Sequence, residues 1–102
     1  MKFAICNEIF KGWKLEDTLA CAARLGYSGV EIAPFTLANS VTDISAAKRQ
    51  AMREAAARNQ MEIAGIHWVL VKPEGLHINH PDAILRDRTA RYFWFRDRKS
   101  VV

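Results

Sequence analysis

The chain alternates between short apolar runs and longer segments in which apolar residues recur at helical spacing. Three runs rich in β-branched and aromatic residues are typical of strands. These runs are Lys2–Phe10, Ser28–Phe35 and Glu62–Val71. Lys11 and Gly12 break the pattern after the first run, and Pro34 ends the second because proline cannot donate to a β-ladder.

The segments between these runs predict two helices. The first covers Leu15–Leu25, where Glu16 and Asp17 favour the N-terminus and Gly26 follows as a stop. The second is predicted by one apolar stripe, made of Ile44, Ala47, Ala51, Met52, Ala55 and Ala56.

Flanking residues suggest where the later helices begin and end. Thr42 and Asp43 precede the apolar stripe as candidate N-caps, and Asn59 follows it as a candidate left-handed end. After the third strand, residues 72–81 are predicted to form a loop. Pro81 is expected to be the first residue of a third helix, because proline fits that position well.

The predicted order is strand, helix, strand, helix, strand, long loop and helix. The strand centres fall near Ile5, Glu31 and Gly65, and units of about 30 residues are typical of βαβ crossovers. We therefore predict an α/β fold in which parallel strands are covered by helices. Since strand, loop and helix recur three times and a helix comes last, the repeat is expected to continue further.

Three segments carry a family resemblance: KFAICNEIF, GYSGVEIAPF and GIHWVLVKPEGLHINHPD. Together they resemble the N-terminal third of the sugar phosphate isomerase/epimerase family, the xylose isomerase-like TIM barrels. The resemblance covers residues 1–93, whereas residues 94–102, WFRDRKSVV, depart from it, and whether that tail is native stays open. A complete (β/α)8 barrel takes about 250 residues, so the resemblance implies the first three of eight βα units.

The resemblance also implies a catalytic centre on the remaining barrel strands, which are then required for function. In the family, a divalent metal ion is held by Glu, Asp, His and Glu ligands on later strands, and the catalytic carboxylates are expected there too. We therefore expect no catalytic residue and no metal ligand in this chain, which alone is expected to be inactive. The full-length parent is expected to isomerise or epimerise a ketose, sugar phosphate or related hydroxy-carbonyl compound by metal-assisted proton transfer.

Strand alternation selects the residues that face the interior of such a barrel. Val30 and Ile32 suit the helix-facing side of the second strand, which turns Glu31 inward. On the third strand, Ala64 and Ile66 are expected to face the helices. The residues expected on the interior are Ala4, Cys6, Glu8, Glu31, Gly65 and His67.

Four residues are candidates for binding the substrate: Glu31, His67, Trp68 and Glu8. A buried carboxylate is costly unless it is paired, so Glu31 either orients the substrate or a ligand, or pairs with a basic residue of a neighbouring strand. Glu8 either contacts the substrate or is a solvated loop carboxylate. Trp68 offers an aromatic face to the apolar side of a sugar.

The histidines leave further alternatives open. His67 could hydrogen-bond a substrate hydroxyl, bind a metal or be a hydrogen-bonded core residue. In the apurinic endonuclease branch of the superfamily, a histidine on the third strand is a zinc ligand, and His67 is similar in position. His77 precedes His80 by three residues in a loop, where His80 or Asn79 is expected to N-cap the third helix, with Asp82 helping its first turn.

Composition and charge exclude several classes of protein. The net charge is +4, but residues 1–82 carry nine basic and nine acidic residues, so the excess lies in residues 83–102. A nucleic-acid binder more often spreads its basic residues over a folded face, so nucleic-acid binding is disfavoured. Without a bilayer-spanning run or a secretory signal, a cytoplasmic protein with no membrane partner is expected. Cys6 and Cys21 are interpreted as small buried hydrophobic residues.

Two alternatives to the isomerase are retained. A fragment of an apurinic endonuclease-like, metal-dependent nuclease should carry a basic rim in its βα loops, whereas residues 1–82 are neutral. A small non-enzymatic α/β domain would leave its sheet edges exposed, which favours aggregation. The absence of GxGxxG, GxxxxGK[ST] and HExxH excludes the usual phosphate-loop and zinc-protease motifs.

Overall fold

A computed structural model describes the backbone of residues 1–98 and the side chains of residues 1–94. The strands are β1 (Ala4–Cys6), β2 (Gly29–Ile32) and β3 (Glu62–Ile66). The helices are α1 (Leu15–Arg24), α2 (Ala46–Arg58) and α3 (Ala83–Arg98). Short 3-10 turns cover Asn7–Ile9, Pro34–Thr36 and Val41–Asp43.

The three strands form one parallel sheet in the order β1-β2-β3. Each connection is a crossover that contains a helix, as parallel pairing requires. Cys6 lies beside Glu31 in the sheet, and Glu31 lies beside Gly65. The predicted α/β class, with parallel strands and helices between them, is confirmed.

The core lies between the sheet and the helices α1 and α2. Both helices contribute short or medium apolar side chains that pack against the β-branched residues of β2. The buried cluster consists of Leu19, Ala22, Val30, Ile32, Met52, Ala55, Ala56 and Met61. Ile5, Ile63 and Ile66 pack against it from the sheet, so this face of the sheet is the covered one.

All three strands are shorter than predicted, because turns take over where the apolar runs continue. β1 ends at Cys6 and gives way to the Asn7–Ile9 turn. β2 ends at Ile32, just before Pro34 begins its own turn. β3 ends at Ile66, and Trp68 adopts a left-handed backbone conformation with φ 52°.

A β-bulge changes the alternation of β3. Val30 pairs with Ile63 but Glu31 pairs with Gly65, so Ala64 is the extra residue. Ile63 and Ile66 consequently both reach the core, although regular alternation would place them on opposite faces. The expectation that Ala64 faces the helices is therefore wrong. Ala64 is exposed on the face away from the helices, and its Cβ would lie 3.7 Å from a Cβ added to Gly29 on that same face.

Helix α2 begins and ends at residues other than those predicted. Ser45 is the N-cap, with its hydroxyl accepting a hydrogen bond from the Lys48 N–H at 3.1 Å. Thr42 and Asp43 belong instead to the preceding 3-10 turn. Asn59 has φ −95°, and the left-handed residue is Gln60 with φ 55°.

Only part of the predicted apolar stripe of α2 is buried. Met52, Ala55 and Ala56 lie in the core, whereas Ala47 and Ala51 are exposed. Alanine buries little surface and is a good helix former anywhere on the helix, which explains why its position does not mark the core face.

Replacing Ser45 with alanine is expected to lower the free energy of unfolding by about 1 kcal/mol. The substitution leaves an N–H group of the first turn of α2 without its side-chain acceptor. Urea denaturation followed by circular dichroism measures the change. Ser45→Asp keeps an acceptor at the same place and should retain the stability of the original chain; an equal loss in both variants would contradict the capping role.

Helix α3 begins at Ala83 rather than at Pro81. Asp82 caps it, since its carboxylate accepts a hydrogen bond from the Ile84 N–H at 2.9 Å. His80 bonds to the Asp82 N–H instead of capping the helix, so the assignment of the cap to His80 or Asn79 is wrong.

Two side chains of α3 attach this helix to the rest of the chain. The Tyr92 hydroxyl accepts from the Val41 N–H and donates to the Lys72 carbonyl, both at 3.3 Å. Thr89 accepts from the His77 N–H at 3.0 Å. The boundary expected after residue 93 falls inside α3, and residues 99–102 of the expected tail lie outside the described residues.

Candidate functional site

The face of the sheet opposite α1 and α2 is called the open face here. It carries small or no side chains at several positions. Its residues on the strands are Ala4, Cys6, Gly29, Glu31, Glu62, Ala64 and Gly65. At the carboxyl ends of the strands, polar and aromatic side chains gather around this face.

Glu31 and His67 form a pair at this end of the sheet. Glu31 Oε2 lies 3.3 Å from His67 Nδ1, and the His67 N–H donates to the Ile32 carbonyl at 2.8 Å. The side chains of Glu31 and His67 are 40% and 33% exposed, so Glu31 is less buried than its apolar neighbours suggest. The structure thus brings together two of the four candidate residues. The neighbour of Glu31 is the imidazole of His67, the residue that follows β3.

Cys6, Glu8 and His67 form a second group, and His67 belongs both to this group and to the pair with Glu31. One ligand-type atom from each of the three lies within 4.8 Å of the other two. Glu8 reaches this place from the Asn7–Ile9 turn and not through strand alternation. The predicted convergence of Glu8, Glu31 and His67 is therefore present, with Cys6 as an additional member.

The pKa of the Cys6 thiol lies above that of an ordinary cysteine. Burial raises the pKa of the Cys6 thiol, a backbone hydrogen bond at Glu8 lowers it, and the carboxylates of Glu31 and Glu8 raise it further. The interpretation of Cys6 as a small hydrophobic residue missed this polar environment. Both cysteines are free thiols of intermediate exposure.

Trp68 lies at the rim of the site with 57% of its surface exposed. Its ring stacks on the imidazole of His67, with centroids 5.4 Å apart and an angle of 20° between the planes. The ring of Phe35 lies 6.5 Å away. The left-handed backbone at Trp68 places the indole beside His67, although alternation alone would direct it to the other face.

A cavity of about 530 Å³ adjoins the group of Cys6, Glu8 and His67, and Glu8 lines this cavity as well. It lies between the loop that follows β1 and the turn that follows β2. The lining combines aromatic rings with a carboxylate and an ammonium group. Its residues include Glu8, Phe10, Lys11, Trp13, Phe35 and Leu37.

Asn7 holds the two walls of this cavity together. Its side chain is buried, accepts from the Ala33 N–H at 2.7 Å and donates to the Thr36 hydroxyl at 2.8 Å. These two bonds join the end of β1 to the end of β2. The sequence pattern shows Asn7 only as a polar residue at the end of an apolar run, which gives no signal of this role.

No protein-family model, curated protein or solved structure matches the chain. Within residues 1–98, no helix is both long and apolar enough to cross a membrane. Carboxylates, an imidazole and exposed aromatic rings at one rim can bind a polyhydroxylated compound through hydrogen bonds and stacking.

Proposed function

We propose that the chain supplies the first three βα units of a sugar phosphate isomerase/epimerase of the xylose isomerase-like type. Glu8, Glu31, His67 and Trp68 would form part of its substrate site. One observation carries this proposal: the four side chains gather at the carboxyl ends of three parallel strands. Parallel α/β enzymes bind their substrates at that end of the sheet.

The proposed substrate is a ketose, a sugar phosphate or a related hydroxy-carbonyl compound. The carboxylate of Glu31 accepts hydrogen bonds from substrate hydroxyls, and His67 orients that carboxylate from 3.3 Å. The exposed face of Trp68 stacks on the apolar side of a sugar ring. The neighbouring cavity, of about 530 Å³, lies within the range of about 300–1,000 Å³ for small-molecule sites, and Lys11 on its wall suits an anionic group.

The divalent ion implied by the family resemblance would be held elsewhere in the full protein. Its expected ligands are Glu, Asp, His and Glu on later strands, and that set does not fit the Cys6, Glu8 and His67 donors gathered here. The part of this chain in catalysis is therefore to bind and orient the substrate. When bound, the ion would polarise the carbonyl and the adjacent hydroxyl of the substrate.

The balance of charge favours an isomerase over a nuclease. The strands, loops and helices of residues 1–82 carry equal numbers of basic and acidic residues, nine of each. A barrel that binds DNA needs basic groups near its strand ends, because phosphate contacts dominate its affinity. Among the residues that line the cavity, Lys11 is offset by Glu8.

Isomerase assays with two proteins test this proposal. The first protein is the 102-residue chain, and the second is the product of the source gene read beyond codon 102. Interconversion of ketoses or ketose phosphates is expected for the second and not for the first, since catalytic carboxylates are proposed on later strands. Turnover by the short chain alone would contradict the proposal, as would cleavage of abasic DNA by the long product. A source gene without further βα units would instead favour a small non-enzymatic domain.

A further inference from the structure

We infer that Cys6, Glu8 and His67 bind one transition-metal ion of the zinc type. The three residues come from the end of β1, the turn that follows it and the residue after β3, so the fold brings them together over about 60 positions of sequence. Each offers one donor atom, and the three atoms lie within 4.8 Å of one another. A site of this kind is separate from the ion implied by the family resemblance, which needs ligands on later strands.

The spacing of the donors is close to that of a tetrahedral site. Bond lengths of about 2.0–2.3 Å place neighbouring donors of a tetrahedral zinc ion about 3.3–3.8 Å apart. Donors that lie within 4.8 Å of one another therefore need to approach by about 1.5 Å at most. Small side-chain rotations can supply this, since Glu8 lies in a turn and His67 follows the last residue of β3.

The types of donor decide which ions fit. Cys6 loses its thiol proton to solvent as the ion binds. The resulting thiolate and the imidazole are ligands of zinc and related transition metals, whereas magnesium and calcium prefer oxygen donors alone. Three protein donors leave one tetrahedral position for a solvent molecule or for a further ligand. All three side chains are partly exposed, so an ion can enter from the open face.

Glu31 strengthens the case because its carboxylate lies next to the imidazole of His67. A carboxylate against one ring nitrogen is the usual partner of a metal-binding histidine, since it fixes the orientation of the ring. Glu31 Oε2 takes this place at 3.3 Å from Nδ1 of His67. Gly65 lies beside Glu31 in the sheet and has no side chain to contact the carboxylate. Even a Cβ added to Gly65 would lie 4.0 Å from Glu31 Oε1.

The metal site does not depend on the proposed isomerase function. Binding of zinc to the 102-residue chain requires only the three donors and needs no substrate and no later strand. An inactive long protein would overturn the proposed function and leave the metal site intact. Failure of the chain to bind zinc would overturn the metal site and leave the sugar site intact.

Calorimetric titration of the full chain with Zn²⁺ tests the inference, and the absorption spectrum with Co²⁺ gives a second readout. One ion per chain is expected, and the cobalt complex should show a thiolate-to-metal charge-transfer band. Cys6→Ser should abolish that band and weaken zinc binding at least 100-fold. Cys21→Ser is the matched control, because it removes the other thiol, which lies on α1, and should change neither readout.

Variants of the histidines and of Glu31 test the remaining parts of the site. His67→Gln should weaken zinc binding at least 100-fold, and Glu31→Gln should weaken it about 10- to 100-fold. The double variant His77→Gln/His80→Gln removes two neighbouring imidazoles with centroids 6.3 Å apart and should have no effect. Circular dichroism checks that each variant folds.

Besides a failure to bind zinc, two results would overturn the metal site. One is a cobalt complex of the original chain without a thiolate band, which is informative even if a variant fails to fold. The other is zinc binding that survives Cys6→Ser and His67→Gln but is lost in the His77 and His80 double variant. In that case the metal binds at the loop before α3 instead.

Discussion

Replacing Asn7 with alanine is expected to lower the free energy of unfolding by about 2–4 kcal/mol. The Ala33 N–H is buried and would lose its acceptor at 2.7 Å, which costs about 1–3 kcal/mol for a buried donor left without a partner. The hydrogen bond to the Thr36 hydroxyl adds about 1 kcal/mol. Small domains are stable by about 5–15 kcal/mol, so this one side chain accounts for a large share.

Urea denaturation of the Asn7→Ala chain measures the loss, and Asn39→Ala is the matched control. Asn39 is exposed, so its replacement should change the free energy of unfolding by about 0.5 kcal/mol or less. Similar losses in the two variants would show that the buried hydrogen bonds of Asn7 are not what holds the strand ends together. Because Asn7 stands between Cys6 and Glu8, zinc binding should weaken in the same variant.

The order of the elements could be predicted because their local patterns agree with the fold. Val30 and Ile32 are β-branched and flank a single charged residue, so alternation alone places Glu31 on the face away from the helices. The burial of Val30 and Ile32 and the partial exposure of Glu31 follow that alternation. Where a strand is regular, one strand's sequence is enough to assign its faces.

The bulge in β3 could not be predicted, since it exists only in the pairing with β2. Ile63 and Ile66 both pack on the core because Ala64 is passed over in the register. Regular alternation from Ile66 gives the correct face for Gly65 and His67 and the wrong face for Ala64. A single extra residue thus explains both the success and the failure on this strand.

The sequence does not predict the grouping of Cys6, Glu8 and His67 for a similar reason. Alternation does place Cys6 on the open face, but its distance from Glu8 is set by the turn Asn7–Ile9. That turn is stabilised by two hydrogen bonds of the Asn7 side chain, which accepts from the Ala33 N–H and donates to the Thr36 hydroxyl. Contacts over such separations leave no periodic signal in the sequence, and the local surroundings of Cys6 indicate only a small apolar residue.

The N-cap of α2 is predicted wrongly because several neighbouring residues are equally suited to the position. Thr42, Asp43 and Ser45 are all good N-cap residues, and intrinsic preference hardly separates them. Tertiary structure decides between them: Ile44 is only 3% exposed and has an extended backbone, so the helix begins after it and Ser45 is the cap. Local propensity therefore predicts that a helix begins here but not at which residue.

Glu31→Gln is expected to lower kcat/KM about 10- to 150-fold in the long isomerase proposed above, because a charge-assisted hydrogen bond contributes about 1.5–3 kcal/mol. The amide keeps the shape of the side chain but loses the negative charge that His67 faces at 3.3 Å and that substrate hydroxyls would meet. Steady-state kinetics with a ketose phosphate measures the effect. The matched control is Glu62→Gln, at the opposite end of β3, where the carboxylate is 73% exposed beside Lys2 and activity should not change. Equal, negligible effects of both substitutions would remove Glu31 from the substrate site, whereas a parallel loss of stability in Glu31→Gln would assign it a structural role.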